Sequence, residues 1–148
     1  MKNKVDILAF GAHPDDVELG CGGVLALEAS IGKKAGIIDI TQGELGTRGT
    51  VEKRQKEAVN AAEILGVSIR KNLNLEDGFF QDNKDNQLKV LRIIRKYKPE
   101  IVITTAPNDR HPDHGRACKL ITESCFLAGL QKIKTGIQEP WRPKAIYH

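Results

Sequence analysis

Residues 5–25 read VDILAFGAHPDDVELGCGGVL, an apolar run that changes abruptly into a polar turn. Residues 5–10 have the β-branched, apolar composition of a buried parallel strand, and a helical pattern resumes near Leu19. The turn therefore falls at the carboxyl end of a strand, where open α/β sheets bind their ligands. It contains His13, Pro14, Asp15, Asp16 and Glu18.

This first turn has the side chains of a metal site. Pro14 disfavours helical geometry at His13 and keeps the turn extended, so that His13 and Asp16 can face one point. An imidazole and a carboxylate suit zinc, while the adjacent Asp15 can remain unligated and take protons. The alternative is purely structural, with Asp15 and Asp16 capping the helix that follows.

A second turn carries the same chemistry. Residues 108–114 read NDRHPDH and follow another apolar run at residues 101–105, so that histidine-proline-aspartate occurs twice, each time after a strand. Three of the chain's four histidines lie in these two turns. By chain order the turns follow strands one and four, which flank the switch point of a sheet with the order 3-2-1-4-5. We therefore expect both turns to open into one crevice.

The rest of the pattern alternates strands and helices and predicts an α/β fold with a mainly parallel sheet. Thr50 is expected to cap the second helix and Asp85 the third. The loop at residues 42–49 holds three glycines and can approach a ligand closely. Further strands are expected at 35–41, at 69–75 and from 145 onward, and helices at 19–31, 51–65, 88–97 and about 114–126.

The composition of the chain argues against nucleic-acid and membrane partners. The 148 residues are enough for one domain, and the 23 basic and 19 acidic residues leave a net charge of +4 that is spread along helices. Lys89, Arg92, Arg95 and Lys96 are typical of a solvated helix face, so we expect no nucleic-acid partner. No segment approaches the ~20 apolar residues that span a bilayer, which predicts a cytoplasmic protein with no membrane partner.

The two turns together predict a catalytic zinc site. Three imidazole and carboxylate ligands leave zinc a fourth position for water, and we favour His13, Asp16 and His114 as those ligands. Such a site makes hydrolysis of an amide or ester feasible at neutral pH. Asp15 is then the expected general base.

Three further residues are expected to act in this site. His111 is left free to stabilise an oxyanion or to protonate a departing amine, with Asp113 orienting it. Spacing alone leaves the reverse assignment open, with His111 as the ligand and His114 as the acid. Arg54 falls on the apolar edge of the second helix, one turn from the end nearest the crevice, and is expected to reach into the site.

The motifs AHPDDVELGCGG (12–23) and NDRHPDH (108–114) resemble the zinc-dependent deacetylases of the LmbE-like, or PIG-L, family. Within that family, TQGELGTRGTVEKRQKEA (41–58) and NLNLEDGFF (72–80) are similar to the bacterial branch that deacetylates N-acetylglucosaminyl malate during bacillithiol biosynthesis. The resemblance covers nearly the whole chain. It implies a Rossmann-like three-layer sandwich, a small-molecule N-acetylglucosamine conjugate as substrate, and assembly into homohexamers.

The resemblance also implies roles for individual residues. It places one zinc ion per chain on His13, Asp16 and His114, the base at Asp15 and the oxyanion or acid histidine at His111. Two arginines are implied to contact the substrate, and a malate carboxylate would suit a bidentate guanidinium. They are Arg54 and Arg110.

Two other interpretations compete with a deacetylase. Relatives continue beyond the position of His148, so the chain is expected to be one domain, residues 1–148, that lacks the carboxyl-terminal part of the family fold. The first competing interpretation is that such a domain binds zinc without turnover. A nucleotide-binding domain would use Gly20, Gly22 and Gly23 with Asp39, but the third glycine of that fingerprint would fall at Leu25.

Overall fold

The computed structural model describes residues 4–148 as a single parallel sheet with helices on both faces. Each of the four strand pairings within this range is parallel. The strands are β1 (Ile7–Gly11), β2 (Ala35–Thr41), β3 (Ile69–Leu75), β4 (Ile101–Ile103) and β5 (Ala145–Tyr147), in the order β3-β2-β1-β4-β5. The helices are α1 (Asp16–Ser30), α2 (Val51–Leu65), α3 (Lys84–Tyr97) and α4 (Pro112–Ala128).

The predicted fold class and sheet order are confirmed. β1 lies at the centre and is buried along its whole length, as its continuous apolar sequence requires. One apolar cluster packs α3 and α4 against the sheet, and a second packs α1 against the opposite face. Because β1 pairs with both β2 and β4, the turns that leave β1 and β4 emerge side by side.

The predicted bounds of β2, α2 and β3 are confirmed, and a threonine and a glycine mark the two ends of α2. The Thr50 side chain accepts a hydrogen bond from the Lys53 amide, and Gly66 ends α2 in the left-handed conformation. The predicted Asp85 cap is wrong. Asn83 caps α3 by accepting from the Asn86 amide, so α3 begins at Lys84, four residues earlier than expected.

The starts of α1 and α4 also differ from the prediction. α1 begins at Asp16 and α4 at Pro112, so each helix starts inside the polar turn instead of after it. Proline is favoured at the first helical position, where its missing N–H costs nothing. His111 occupies the cap position of α4 and accepts a hydrogen bond from the Asp113 amide.

Arg95 does not lie on a solvated helix face, contrary to the sequence prediction. It is 2% exposed, and its guanidinium donates to the carbonyls of Ala128, Leu130 and Ile133. It therefore anchors the irregular segment after α4 to α3. None of the helices within residues 4–148 combines the length and the apolar character that a bilayer crossing requires.

Candidate active site

The two histidine-containing turns meet at the carboxyl edge of the sheet. The ring centroids of His13 and His111 are 4.8 Å apart, those of His111 and His114 are 5.0 Å apart, and those of His13 and His114 are 5.8 Å apart. β1 and α1 position His13, while β4 and α4 position the other two rings. The structure thus brings together in one crevice side chains that are about 100 residues apart in sequence.

Asp16 lies between two of these histidines. One of its carboxylate oxygens is 3.5 Å from Nδ1 of His13, and the other is 3.3 Å from Nε2 of His114. Two ligands of a tetrahedral zinc with bonds of about 2.0–2.1 Å lie about 3.3 Å apart. Each of the two separations around Asp16 is therefore close to the spacing of two ligands on one zinc ion.

The remaining nitrogens of these two histidines are held by carboxylates. His13 Nε2 lies 2.9 Å from Asp77 Oδ1 and 3.2 Å from Asp113 Oδ2. His114 Nδ1 lies 2.9 Å from Asp109 Oδ2. Carboxylates in this position orient metal-binding imidazoles and fix which nitrogen stays free. Here the free nitrogens are the two that face Asp16.

His111 is held differently from the other two rings. Its Nδ1 accepts from the Asp113 backbone amide at 3.3 Å, so the neutral ring carries its proton on Nε2 and can donate from there. The carboxylate of Asp113 contacts His13 and not His111, so the amide provides the orienting contact that was expected of the carboxylate. The three histidines can also bring one nitrogen each within 4.8 Å of one another.

The carboxylates around His13 favour a positive charge at this position, either on the ring or on a bound ion. Burial lowers the pKa of His13, but the hydrogen bond and charge of Asp16, together with Asp77, outweigh burial and raise this pKa to about 9. Burial raises the pKa of Asp16, and hydrogen bonds from the side chain and amide of His13 reverse that effect and lower it. A buried carboxylate cluster of this kind is stabilised by a proton or by a metal ion.

Asp15 lies next to this cluster in sequence and pairs with Arg54 instead of with a histidine. It precedes α1 with a φ of 125°, an unfavourable value for a residue with a side chain, and its carboxylate forms no capping hydrogen bond with the helix. The capping interpretation therefore does not apply to Asp15. Burial and the charge of Asp16 raise its pKa, although Arg54 opposes this. Strain of this kind is found where a side chain is held for function.

The two arginines expected at the site differ in their surroundings. The Arg54 guanidinium lies 3.3 Å from Asp15 and donates to the carbonyls of Gly43 and Pro14, at 3.0 and 3.1 Å. It thus joins α2, the glycine-rich loop 42–49 and the first polar turn. Arg110 is exposed on the loop that precedes His111.

Sequence reasoning missed the carboxylates behind the histidines. Asp109 lies inside the second motif, and Asp77 follows β3 at the same edge of the sheet, which is the signal that pointed to the other site residues. A second missed group lies nearby: Arg70 donates to both oxygens of Asp39, at 2.9 and 3.0 Å, and also pairs with Glu18. Burial raises the pKa of Asp39 to about 6 despite Arg70.

A cavity of about 750 Å³ opens beside Asp16 and His114. It runs between α1 and the β4–β5 edge, and its walls are mainly apolar, with Leu19 and Ile103 on opposite sides. The nucleotide-binding interpretation does not fit this edge. Gly20, Gly22 and Gly23 lie within α1 and not in the turn after β1, where a phosphate-binding loop would need them.

Comparison with known proteins identifies a family for the chain. The sequence profile of PIG-L, described as GlcNAc-PI de-N-acetylase, matches residues 8–126. The chain is 40% identical to the uncharacterized deacetylase YaiS of Escherichia coli, over 91% of this chain and 83% of YaiS. It is 31% identical to diacetylchitobiose deacetylase of Thermococcus kodakarensis, over 84% of this chain and 50% of that protein.

Structural comparison agrees. A conserved protein from Thermus thermophilus superimposes with a TM-score of 0.91 at 42% identity, covering 96% of this chain and 64% of that one. The chain thus spans about half to two thirds of the length of several relatives. The malate-conjugate branch is more distant: a probable N-acetyl-α-D-glucosaminyl L-malate deacetylase of Bacillus subtilis is 28% identical over 83% of this chain and 62% of that protein.

Proposed function

The chain belongs to the PIG-L family of de-N-acetylases, and we propose that it is a zinc-dependent hydrolase that removes the acetyl group from an N-acetylglucosamine derivative. One observation carries the proposal: Asp16 presents one oxygen to His13 Nδ1 and the other to His114 Nε2, at 3.5 and 3.3 Å. The remaining nitrogens of both histidines are already held by carboxylates.

The proposed metal ligands are His13, Asp16 and His114, with one zinc ion per chain. When bound, zinc would polarise an amide carbonyl and acidify water at neutral pH. His111 is not assigned as a ligand, because the hydrogen bond from the Asp113 amide uses the lone pair on its Nδ1. The Nε2–H of His111 is then free to donate to the oxyanion or to the departing amine.

Asp15 is the proposed general base. Its side chain is 57% exposed, so water can reach it, and the proposed metal ligand Asp16 is the next residue. Burial and the negative charge of Asp16 raise the pKa of Asp15, which favours proton uptake from an attacking water. Arg54 pairs with the same carboxylate and limits its movement.

The proposed substrate class is an acetamido sugar, and one conjugate is proposed within that class. The family profile and the diacetylchitobiose deacetylase both favour an acetamido sugar. Within that class we propose the malate conjugate of N-acetylglucosamine, with Arg110 and Arg54 contacting its carboxylates. Arg110 is better placed for this, because it is exposed while Arg54 is held by two backbone carbonyls.

A zinc-loaded preparation tests the function directly. Acetate release is measured from N-acetylglucosaminyl malate, diacetylchitobiose and free N-acetylglucosamine, with Asp15→Asn as the inactive control. We expect release from at least one conjugate, fastest from the malate compound, and a fall of about 10²–10⁴-fold in Asp15→Asn with zinc retained.

Three other outcomes would change the proposal. Faster release from diacetylchitobiose would change the proposed substrate, and full activity in Asp15→Asn would remove the base assignment. Zinc binding without release from any compound would support the alternative of an inactive zinc-binding domain. The chain spans 50% of the diacetylchitobiose deacetylase and 64% of the Thermus thermophilus protein, which is compatible with that alternative.

Cellular context is part of the proposal. Cys21, Cys118 and Cys125 are all free thiols, which is typical of proteins in a reducing compartment, and we place this protein in the cytoplasm. Assembly into a homo-oligomer, implied by the family resemblance, stays a prediction that light scattering of the purified protein would test.

A further inference from the structure

His13 is held from behind by carboxylates from two other parts of the chain. Asp77, in the turn after β3, lies 2.9 Å from His13 Nε2, and Asp113, on α4, lies 3.2 Å from the same atom. The two carboxylate side chains are only 7% and 1% exposed. Neither contacts the crevice side of the ring, where Nδ1 faces Asp16.

We propose that Asp77 is a positioning residue, which fixes the His13 ring with Nδ1 towards the metal and couples that orientation to the glycine-rich loop 42–49. The inference rests on the proposed zinc site and adds a residue to it. Asp77 touches neither the proposed metal position nor the crevice, and it acts through His13.

The His13–Asp77–Asp113 cluster also has the composition of a second metal site, since one ligand atom from each lies within 4.8 Å of the others. The hydrogen-bond pattern argues against a metal there. The 2.9 Å contact is shorter than the separation of about 3.3 Å between two zinc ligands and is ordinary for a hydrogen bond. Backbone amides occupy the carboxylates as well: Leu45 donates to Asp77 at 3.0 Å, and Gly78 to Asp113 at 2.9 Å.

Only a carboxylate can make both contacts of Asp77. When Nδ1 of His13 faces a metal, Nε2 carries the proton and must donate, here to Asp77 Oδ1. The other oxygen, Oδ2, accepts from the Leu45 amide. An asparagine would present an acceptor on one side and an NH₂ donor on the other, so it would lose one of the two contacts and place two donors face to face.

The loop is joined to Asp77 at a second point. Glu44 accepts from the Asp77 amide at 2.8 Å and from the Gln42 amide at 3.2 Å. At its other side the loop is held by Arg54, through the Gly43 carbonyl. Loop 42–49 therefore links the proposed base, through Arg54, with a proposed metal ligand, through Asp77.

Zinc affinity tests the proposal, because a merely structural role would not change it in a folded variant. Asp82→Asn is the matched control: Asp82 lies five residues further along the chain, its side chain is 10% exposed, and it pairs with Lys119 and Gln87. By competition with a chromophoric chelator, we expect zinc to bind about 10–100-fold more weakly to Asp77→Asn than to the wild type. Affinities of Asp77→Asn and Asp82→Asn that both lie within twofold of the wild type would overturn the proposal.

Two further measurements keep the proposal testable if Asp77→Asn folds poorly. Nitrogen-15 NMR of the zinc-loaded wild type should show the His13 proton on Nε2, and a proton on Nδ1 would contradict the proposed orientation. Glu44→Ala releases the turn without changing Asp77 and should also weaken zinc binding. Unchanged affinity in that variant would remove the coupling to the loop.

Zinc affinity and acetate release test the role of Asp77 and the deacetylase activity separately. Zinc binding without acetate release in the wild type would contradict the deacetylase but not the role of Asp77. Equal zinc affinities in wild type and Asp77→Asn would contradict the role of Asp77 even in an active deacetylase. A wild type that binds no zinc would overturn both.

Discussion

Arg54 and Asp15 form an ion pair with a separation of 3.3 Å at the mouth of the proposed site. The Arg54 side chain is 21% exposed, and it also donates to the carbonyls of Gly43 and Pro14. Its removal would leave two carbonyls and the proposed base without their donor. The pair therefore links the arrangement of loop 42–49 to the position of the base.

Arg54→Ala is expected to lower kcat/KM about 10–100-fold, since hydrogen bonds to a charged group contribute about 1.5–3 kcal/mol. The matched control is Lys53→Ala, because the Lys53 side chain is 67% exposed on the preceding position of α2. Zinc content should not change in either variant. Equal losses of activity in the two variants would show that Arg54 has no specific role.

His111→Ala separates the two possible ligand sets. If the ligands are His13, Asp16 and His114, this variant should keep zinc and lose activity by about 10²–10⁴-fold, the usual contribution of a general acid or base. His114→Ala should instead lose zinc. The reverse pattern, with zinc lost in His111→Ala and kept in His114→Ala, would establish His111 as the ligand.

Arg70→Met is expected to reduce the free energy of unfolding by about 3–5 kcal/mol, because it leaves buried carboxylates without their partner. Arg70 is 7% exposed and pairs with Asp39 and Glu18. Urea denaturation measures the loss, and Lys71→Met, at an exposed position on the same strand, is the control. A loss below about 1 kcal/mol would mean that the cluster is solvated, as surface ion pairs are.

The stability loss in Arg70→Met should depend on pH. Burial already raises the pKa of Asp39 to about 6, and removing Arg70 raises it further. A carboxyl group whose folded pKa is raised binds protons more tightly in the native state, so stability falls as pH rises through this range. The deficit relative to wild type should therefore shrink between pH 7 and pH 5. A deficit that grows on acidification would contradict this account.

The stability that Glu100 contributes should depend on pH in the opposite direction. Hydrogen bonds and charge from Lys144 and Lys4, at 2.7 and 2.9 Å, lower the pKa of Glu100 to about 2. The stability that wild type holds over Glu100→Gln should be complete at neutral pH and disappear as pH falls from about 4.5 to about 2. Denaturation at several pH values tests this, and 1 M salt should reduce the difference because it screens exposed charges. A difference that does not change with pH would show that the lysines do not act through charge.

The fold class and the proximity of the two polar turns could be predicted from the sequence, because both depend on local patterns. Apolar runs such as residues 5–10 mark buried strands, and chain order places the first and fourth strands side by side. Gly66 and Thr50 mark helix ends through conformations and hydrogen bonds that span only a few residues.

Contacts between segments that are distant in sequence could not be predicted from local patterns. Asp77 is 64 residues from His13, and only the three-dimensional arrangement of β3 beside β2 brings it behind that ring. Arg95 lies among exposed basic residues in sequence, yet the segment after α4 folds back and buries it. In both cases a polar side chain is placed by partners that periodicity does not reveal.

The most direct test of the central claim is zinc stoichiometry by elemental analysis of the wild type and of Asp16→Ala, each purified, reloaded with zinc and freed of excess. Asp16 supplies the oxygens that face both His13 Nδ1 and His114 Nε2. We predict about one zinc per chain in the wild type and near none in a folded Asp16→Ala. A folded wild type without zinc, or the same zinc content in both proteins, would contradict the proposed site.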